Sequence, residues 1–298
     1  MEGKIKDAKP FIKWVGGKGQ LLGTIEERLP RNFSSIKDLT YIEPFVGGGA
    51  VLFWLLKNYP NIKKAIINDI NPDLTAAYSV IKQHPKDLID CLREIQEEYL
   101  PLSDEKRREY YLLKRTYFNT KKLDIIENSA IFIFINRTCF NGLYRVNKKG
   151  EFNVPFGRYA NPKICDENTI YADSEVLQKV EILTGDYAQT IKYVKGNCFF
   201  YFDPPYKPLS DTSSFNSYSK EVFDDSEQIR LRNFCNKIAQ LKQQFILSNS
   251  DVKGKNQEDN FFDNLYSDYD INRVYATRMV NAHASKRGKL TELMISNL

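Results

Sequence analysis

At 298 residues, 42% hydrophobic and 27% charged, the chain has material for one large α/β domain with an insertion, or for two domains. No run approaches the roughly 18 apolar residues of a membrane span, and the charged N-terminus carries no secretory leader. Five scattered cysteines without a Cys-x-x-Cys pair argue against disulfides and structural zinc, and two histidines, His84 and His283, in unsuitable contexts argue against a Ser-His-Asp hydrolase or a His-rich metal site.

The net charge of +5 is concentrated. Residues Asn136 to Lys163 hold six basic side chains against Glu151, and Ile271 to Leu290 hold five with no acid; Asp251 to Asp270 holds six acids against Lys253 and Lys255. Two basic segments on an otherwise near-neutral chain suggest a polyanion-binding face, with solvated loops as the plain alternative.

In chain order, Lys9 to Lys18 is an apolar-basic segment entering a double-glycine turn, and Leu21 to Leu29 reads as a helix stopped by Pro30. Tyr41 to Val46 is a short strand, followed by Gly47-Gly48-Gly49 and a helix over Ala50 to Asn58. Ala65 to Asp69 is a second strand ending in a carboxylate. This β-glycine loop-α-β-acid order is half of a doubly wound sheet.

From Pro72 the pattern turns helical, with amphipathic spacing over Pro85 to Leu100 and Asp104 to Phe118. Ile131 to Ile135 reads as strand or buried helix, and Glu127-Asn128-Ser129, able to cap a helix, favours helix. Leu143 to Val154 is expected to be a β-hairpin turning at Asn147 to Gly150. Strands then follow at Val180 to Thr184, Cys198 to Phe202, Phe245 to Ser248, Ile271 to Ala276 and Leu290 to Ser296, with a helix at Asp224 to Lys242. The sheet is thus interrupted by about ninety residues of helix plus hairpin. Asn281 to Lys289 is expected to be a mobile cationic loop that lies over phosphates through Lys286, Arg287 and Lys289.

Asp203-Pro204-Pro205-Tyr206 carries most information. It follows an unbroken apolar run, Cys198 to Phe202, and open α/β sheets place ligands at such strand ends. The prolines fix φ and remove two backbone donors. A carboxylate, a free carbonyl and an aromatic plate together suit a flat, amine-bearing ring; a Pro-Pro turn with a surface Asp is the bland alternative. Upstream, Asp69 lies 20 residues beyond Gly49, where such folds set an acid against ribose hydroxyls. The glycines lack the dinucleotide spacing and no phosphate loop is present, so an adenosyl ligand without phosphates fits better.

Phe45-x-Gly-Gly-Gly49, Asp203-Pro-Pro-Tyr206 and Lys13-Trp-x-Gly-Gly-Lys18 resemble three signature motifs of S-adenosylmethionine-dependent adenine-N6 DNA methyltransferases, in the order of their α group. The segment Asn136-Arg137-x-x-Phe140-Asn141-Gly142-Leu143-x-Arg145-x-Asn147, continuing through Glu151 to Tyr159, is similar to the recognition region of the Dam family, which methylates adenine in GATC. The likeness runs from Pro10 to the last strand.

The resemblance implies a Rossmann-like α/β methyltransferase sheet with an inserted helical plus β-hairpin DNA-recognition domain. Residues 1–75 and 165–298 would be catalytic and 76–164 would recognise the target. S-adenosylmethionine would be held by Trp14, Lys18, Phe45, Gly47, Asp69, Asp186, Tyr187 and Asp203; Tyr187 stands where the family usually has Phe. Asp203, Pro204, Pro205 and Tyr206 would carry catalysis, with no metal. Lys13, Leu143, Arg145 and Pro155 would read bases, Phe140 would wedge into the stack, and Arg137 and Arg158 would contact phosphates. Hairpin packing is the alternative for Leu143 and Pro155, a surface salt bridge for the two arginines.

The expected partner is double-stranded DNA, without a membrane or an obligate protein partner and with a restriction endonuclease, if any, acting separately. The expected setting is a bacterial cytoplasm. Three rivals share the fold: a cytosine-N4 methyltransferase, which usually carries Ser before Pro-Pro, an RNA or protein methyltransferase, which usually carries Asn there, and a non-catalytic DNA-binding module, against which the intact motifs argue.

Overall fold

The computed structural model describes residues 8–207, 223–254, 256–277 and 289–298. The expected basic loop at Asn281 to Lys289 lies outside the described residues up to position 288.

The described elements in chain order are α1 (Leu22–Glu26), β1 (Leu39–Glu43), α2 (Ala50–Asn58), β2 (Ile62–Asp69), α3 (Pro72–Gln83), α4 (Pro85–Tyr99), α5 (Asp104–Thr120), α6 (Ile125–Thr138) and α7 (Glu167–Leu177). Then come β3 (Val180–Thr184), β4 (Cys198–Phe202), α8 (Asp225–Gln240), β5 (Gln244–Ser250), α9 (Phe261–Leu265), β6 (Asp270–Thr277) and β7 (Lys289–Ser296). The strands form one sheet in the order β3-β2-β1-β4-β5-β7-β6. Strands β1 to β5 pair in parallel, and β7 runs antiparallel to both neighbours.

All five residues of β4 are buried, because layers cover both faces of the sheet and leave no position for a polar alternation. The strand order proceeds outward in opposite directions from β1 and β4, so their carboxyl ends flank the switch point where such sheets open a crevice.

Helix α6 is apolar around most of its circumference and packs against α3, α4 and α5. That settles Ile131 to Ile135 as buried helix. Its cap differs from expectation. The Asp124 carboxylate accepts from the amides of Ile126 (2.8 Å) and Glu127 (3.0 Å), while Ser129 lies inside the helix and donates to the Ile125 carbonyl. One apolar core runs from β1 and β2 through α3 to α6 and on to Tyr144, Phe152 and Val154. The boundary expected at 75/76 falls within α3.

Three local expectations need correction. The first helix is shorter than Leu21 to Leu29: a 3₁₀ turn at Lys18–Gln20 leads into five residues of α-helix, since Gly23 and the β-branched Thr24 and Ile25 propagate a helix poorly. Helix α7, built from small and polar residues and capped by Asp166, was not anticipated. The expected hairpin at Leu143 to Val154 has no regular strands, only isolated bridges Cys139↔Phe156 and Val146↔Phe152. Side chains of α5 take the place of the ladder. Asn119 accepts from the Phe152 amide and donates to its carbonyl, and Tyr111 and Arg115 both donate to the Val154 carbonyl. The turn itself lies where expected, with Asn147 Oδ1 accepting from the amides of Lys149 and Glu151.

Candidate active site

The loop after β1 is shaped for glycine. Gly47 and Gly49 have φ of +49° and +75°, a region other residues rarely enter. A Cβ on Gly47 would lie 2.8 Å from Trp14 Cδ1, and one on Gly49 would lie 2.4 Å from the Tyr78 hydroxyl. Trp14 therefore lies directly on the loop. Its ring also stacks on Tyr144 at 5.6 Å between centroids. The Gly47 amide donates to Asp69 Oδ2 and the Asn71 amide to Oδ1, each at 3.0 Å; Tyr78 donates to the Gly47 carbonyl. Burial holds the Asp69 carboxyl above the usual carboxylate range despite these bonds. The glycines let the loop close on Trp14 and Tyr78, and the strand-end carboxylate of Asp69 beside it has the acceptor chemistry that the ribose hydroxyls of an adenosyl group require.

Adjacent to it, β4 delivers Asp203. The Lys18 ammonium lies 2.7 Å from Asp203 Oδ1, donates to the Gly16 carbonyl at 2.9 Å, and stands 4.7 Å from the centroid of the Tyr206 ring. Burial pushes the Asp203 carboxyl up to about 6; Lys18 opposes the rise and Glu292 adds to it. Gln228 donates to the Pro205 carbonyl at 3.3 Å and accepts from Asn249 at 3.0 Å, so β5 and α8 brace the turn. No hydrogen bond to the Pro204 carbonyl is present among the described residues. Tyr206 donates to Glu292 Oε2 on β7 at 2.7 Å. Beneath these groups, Glu43 accepts from Tyr41 at 2.8 Å, and burial raises its carboxyl well above the usual range.

On the far side of the loop, Phe45 packs against Tyr187 at 5.0 Å. Asp186 is exposed at the start of a 3₁₀ turn, accepting from the Ala188 amide, and Arg230 of α8 grips both its oxygens at 3.2 and 2.6 Å. Arg230 also lies over the Tyr187 ring at 4.4 Å. Its bonds hold the Asp186 carboxyl below the ordinary value.

The segments expected to meet DNA converge on the N-terminal strip. Asn136 of α6 accepts from the Lys13 amide and donates to the carbonyls of Lys13 and Gly142. The Lys13 ammonium stands 4.2 Å from the Tyr159 ring centroid. Phe140 is half exposed although large and apolar, held out by a turn in which Asn141 and Gly142 take positive φ. Arg145 is exposed, its Nε donating to Asn153 Oδ1 at 2.7 Å and its Nη2 to the Asn153 carbonyl. Pro155 and Arg158 are exposed, and Leu143 packs partly against the core.

Arg137 differs from the expectation of a phosphate contact. Its guanidinium donates twice to the Phe11 carbonyl, at 3.1 and 2.6 Å, and fastens the N-terminal strip to α6. Burial lowers its pKa accordingly. The late basic stretch also loses a free charge, because Arg273 pairs with Asp251 and Asp263 from the neighbouring acidic segment.

Sequence reasoning missed Glu43, Gln228, Arg230, Asn249 and Glu292. Only Glu43, directly before Pro44-Phe45, carried a local signal; the others lie far along the chain and reach the site through α8, β5 and β7. Among the described residues, no helix is long and apolar enough to cross a membrane.

An open sheet with a glycine loop and an Asp-Pro-Pro-Tyr turn at adjoining strand ends is the fold of S-adenosylmethionine-dependent methyltransferases. The chain belongs to the D12 class of N6 adenine-specific DNA methyltransferases, whose pattern matches residues 14–280. That family implies a methyl donor of the S-adenosylmethionine type and a DNA substrate. The Type II methyltransferase M.MjaIII of Methanocaldococcus jannaschii is 49% identical over 294 residues, covering 98% of this chain and 99% of that protein. The Type II methyltransferase M1.LlaDCHI of Lactococcus lactis subsp. cremoris is 39% identical over 97% of this chain and 95% of its own. A DNA adenine methylase of Vibrio cholerae is 32% identical over 97% of this chain and 96% of its own.

Proposed function

We propose that this adenine-N6 methyltransferase acts on double-stranded DNA at GATC, taking its methyl group from S-adenosylmethionine. The observation that supports the catalytic assignment is the trio at the mouth of β4: the Asp203 carboxylate, the Pro204 carbonyl, which accepts no hydrogen bond among the described residues, and the Tyr206 ring.

The exocyclic amine of adenine is a weak nucleophile because its lone pair is delocalised into the ring. Asp203 and the Pro204 carbonyl accept its two N–H bonds and favour a more tetrahedral nitrogen. A bond to an ionised carboxylate is of the stronger class, and acceptors fixed beforehand need no reorganisation during reaction. Tyr206, held by Glu292, offers its face to a base flipped out of the duplex. Trp14, Phe45, Gly47, Asp69, Asp186, Tyr187 and Asp203 hold the donor, with Asp69 on its ribose and Asp186 on its adenine. Lys18 is left out of this set because Asp203 and the Gly16 carbonyl engage its ammonium. Bound S-adenosylmethionine supplies an electrophilic methyl group.

Arg145 and Lys13 read guanines on either side of the adenine, since an arginine pairs bidentately with guanine O6 and N7. Phe140 fills the gap left by the flipped base, Leu143 and Pro155 contact neighbouring bases, and Arg158 meets a phosphate. Arg137 is left out of this set because the Phe11 carbonyl engages it. Two relatives are named Type II methyltransferases, which favours a modification enzyme. Action without an obligate protein partner, in a bacterial cytoplasm, belongs to the same proposal and rests on the family resemblance.

The test is mass spectrometry of nucleosides from unmethylated DNA incubated with protein and donor, followed by mapping of the modified sites. N6-methyladenine confined to GATC is the expected result. N4-methylcytosine, or no modified base, would overturn the chemistry, and N6-methyladenine at another sequence would overturn the target.

A further inference from the structure

Lys18 occupies a place its motif does not account for. It is only 5% exposed, unusual for a lysine. Its ammonium is held by the acceptor oxygen of Asp203, a backbone carbonyl and the Tyr206 ring, with Nζ 2.7 Å from the first and 4.7 Å from the ring centroid. A carboxylate, a carbonyl and an aromatic plate are also the kinds of group that the proposed reaction assigns to the target amine. A base stacked on Tyr206 with its amine on Asp203 needs the space in which the ammonium now stands.

We propose that Lys18 is a displaceable stand-in for the target amine: before DNA arrives it neutralises Asp203 and fills the base pocket, and the flipped adenine enters by driving it out. This rests on the function proposed above.

The local backbone suits such an exit. Lys18 opens a short 3₁₀ turn between Gly17 and Gly19, and Gly16 takes a φ of +81°. A Cβ added at Gly16 or Gly19 would meet nothing within 4 Å, so these two have open space around them, while Gly17 stays bonded to the Trp14 carbonyl. A lysine carries its charge on a flexible stem with rotatable donors, and can swing away without backbone rearrangement. The same strip carries Trp14, the wall of the glycine loop, so the exit lies next to the donor cradle. The energetic logic is exchange. A carboxylate with a raised proton affinity keeps an ionic partner until a neutral amine with two N–H bonds replaces it.

The test uses the full-length enzyme and compares wild type with Lys18→Met and Lys18→Gln. Two pH profiles are recorded: kcat/KM for DNA, which reports the enzyme before DNA binds, and the single-turnover rate at saturating DNA and donor, which reports the complex. Displacement predicts that removing the cation moves the acid limb of kcat/KM upward by about 1–3 pH units, while the single-turnover limb stays in place. With 2-aminopurine at the target position and no donor, both variants should also give a larger fluorescence rise than wild type, because no ion pair to Asp203 has to be broken before the base enters.

Equal movement of both limbs would overturn the proposal, since Lys18 would then be a fixed counter-ion, as would movement of neither. Lys18→Gln keeps a donor without the charge and serves if the methionine variant lacks a cooperative thermal transition. A wild type that makes no N6-methyladenine overturns the underlying function together with this inference, whereas an active wild type with unmoved limbs overturns this inference alone.

Discussion

The phenol of Tyr206 donates to the carboxylate of Glu292 at 2.7 Å, tying the turn after β4 to the antiparallel strand β7 on the other side of β5. The Tyr206 ring is thereby aimed by a residue 86 positions further along the chain. A bond between a neutral donor and a charged acceptor contributes about 1.5–3 kcal/mol. Glu292→Ala and Tyr206→Phe should each lower the single-turnover methylation rate roughly tenfold to a hundredfold on that basis. Double-stranded DNA should still bind with near wild-type affinity. Unaltered rates in both variants would show that the tether does not orient the ring.

Asp203 should set the pH dependence of the proposed reaction. Its carboxyl is pushed up to about 6, so it is protonated below that value and ionised above it. Protonation removes the charged acceptor, and kcat/KM should therefore fall as pH drops through about 6. Asp203→Ala should abolish transfer from labelled donor while retaining most DNA binding. Asp203→Asn should leave weak activity without the acid limb. A wild-type profile flat from pH 5 to pH 8 would reject the assignment.

Gly49 has no room for a side chain. Its φ is +75°, and an added Cβ would stand 2.4 Å from the Tyr78 hydroxyl, itself the donor to Gly47. The left-handed conformation alone costs a non-glycine residue about 1–2 kcal/mol. Gly49→Ala should lower the melting temperature and weaken donor binding by calorimetry. Adding Tyr78→Phe should recover only the part due to the clash.

Two arginines of the recognition segment should separate by the kind of contact they make. Arg145→Ala should cost about 1–3 kcal/mol at one base pair and relax discrimination there. Arg158→Ala should weaken all sequences alike and flatten the salt dependence. Methylation rates on GATC and on each single mismatch decide this. An unchanged ratio for Arg145→Ala would remove it from the readers even with the enzyme class intact.

Much of the sheet was legible because its signals are local. An all-apolar run such as Cys198 to Phe202 is a buried parallel strand for reasons contained within five residues, and its bounds agree with expectation. Helix α2 was legible from the glycines before it and the apolar run within it. Helix α7 was not, because small polar residues give little periodic contrast and its burial comes from α3 and α4. The recognition hairpin failed as a ladder for a related reason. Asn119, Tyr111 and Arg115 bind its backbone from α5, and a strand's own pattern does not reveal partners supplied by a helix.

The sequence by itself determined the order of the motifs, the chemistry each offers and the alternation that builds a doubly wound sheet, since these depend on residue types within a few positions of one another. Only the tertiary structure decided what each polar group faces. It set Lys18 against Asp203, Glu292 against Tyr206, Arg230 on Asp186 and Arg137 on the Phe11 carbonyl. Charges far apart in the chain interact through distance and burial, and both are fixed only when the strands take their places in the sheet.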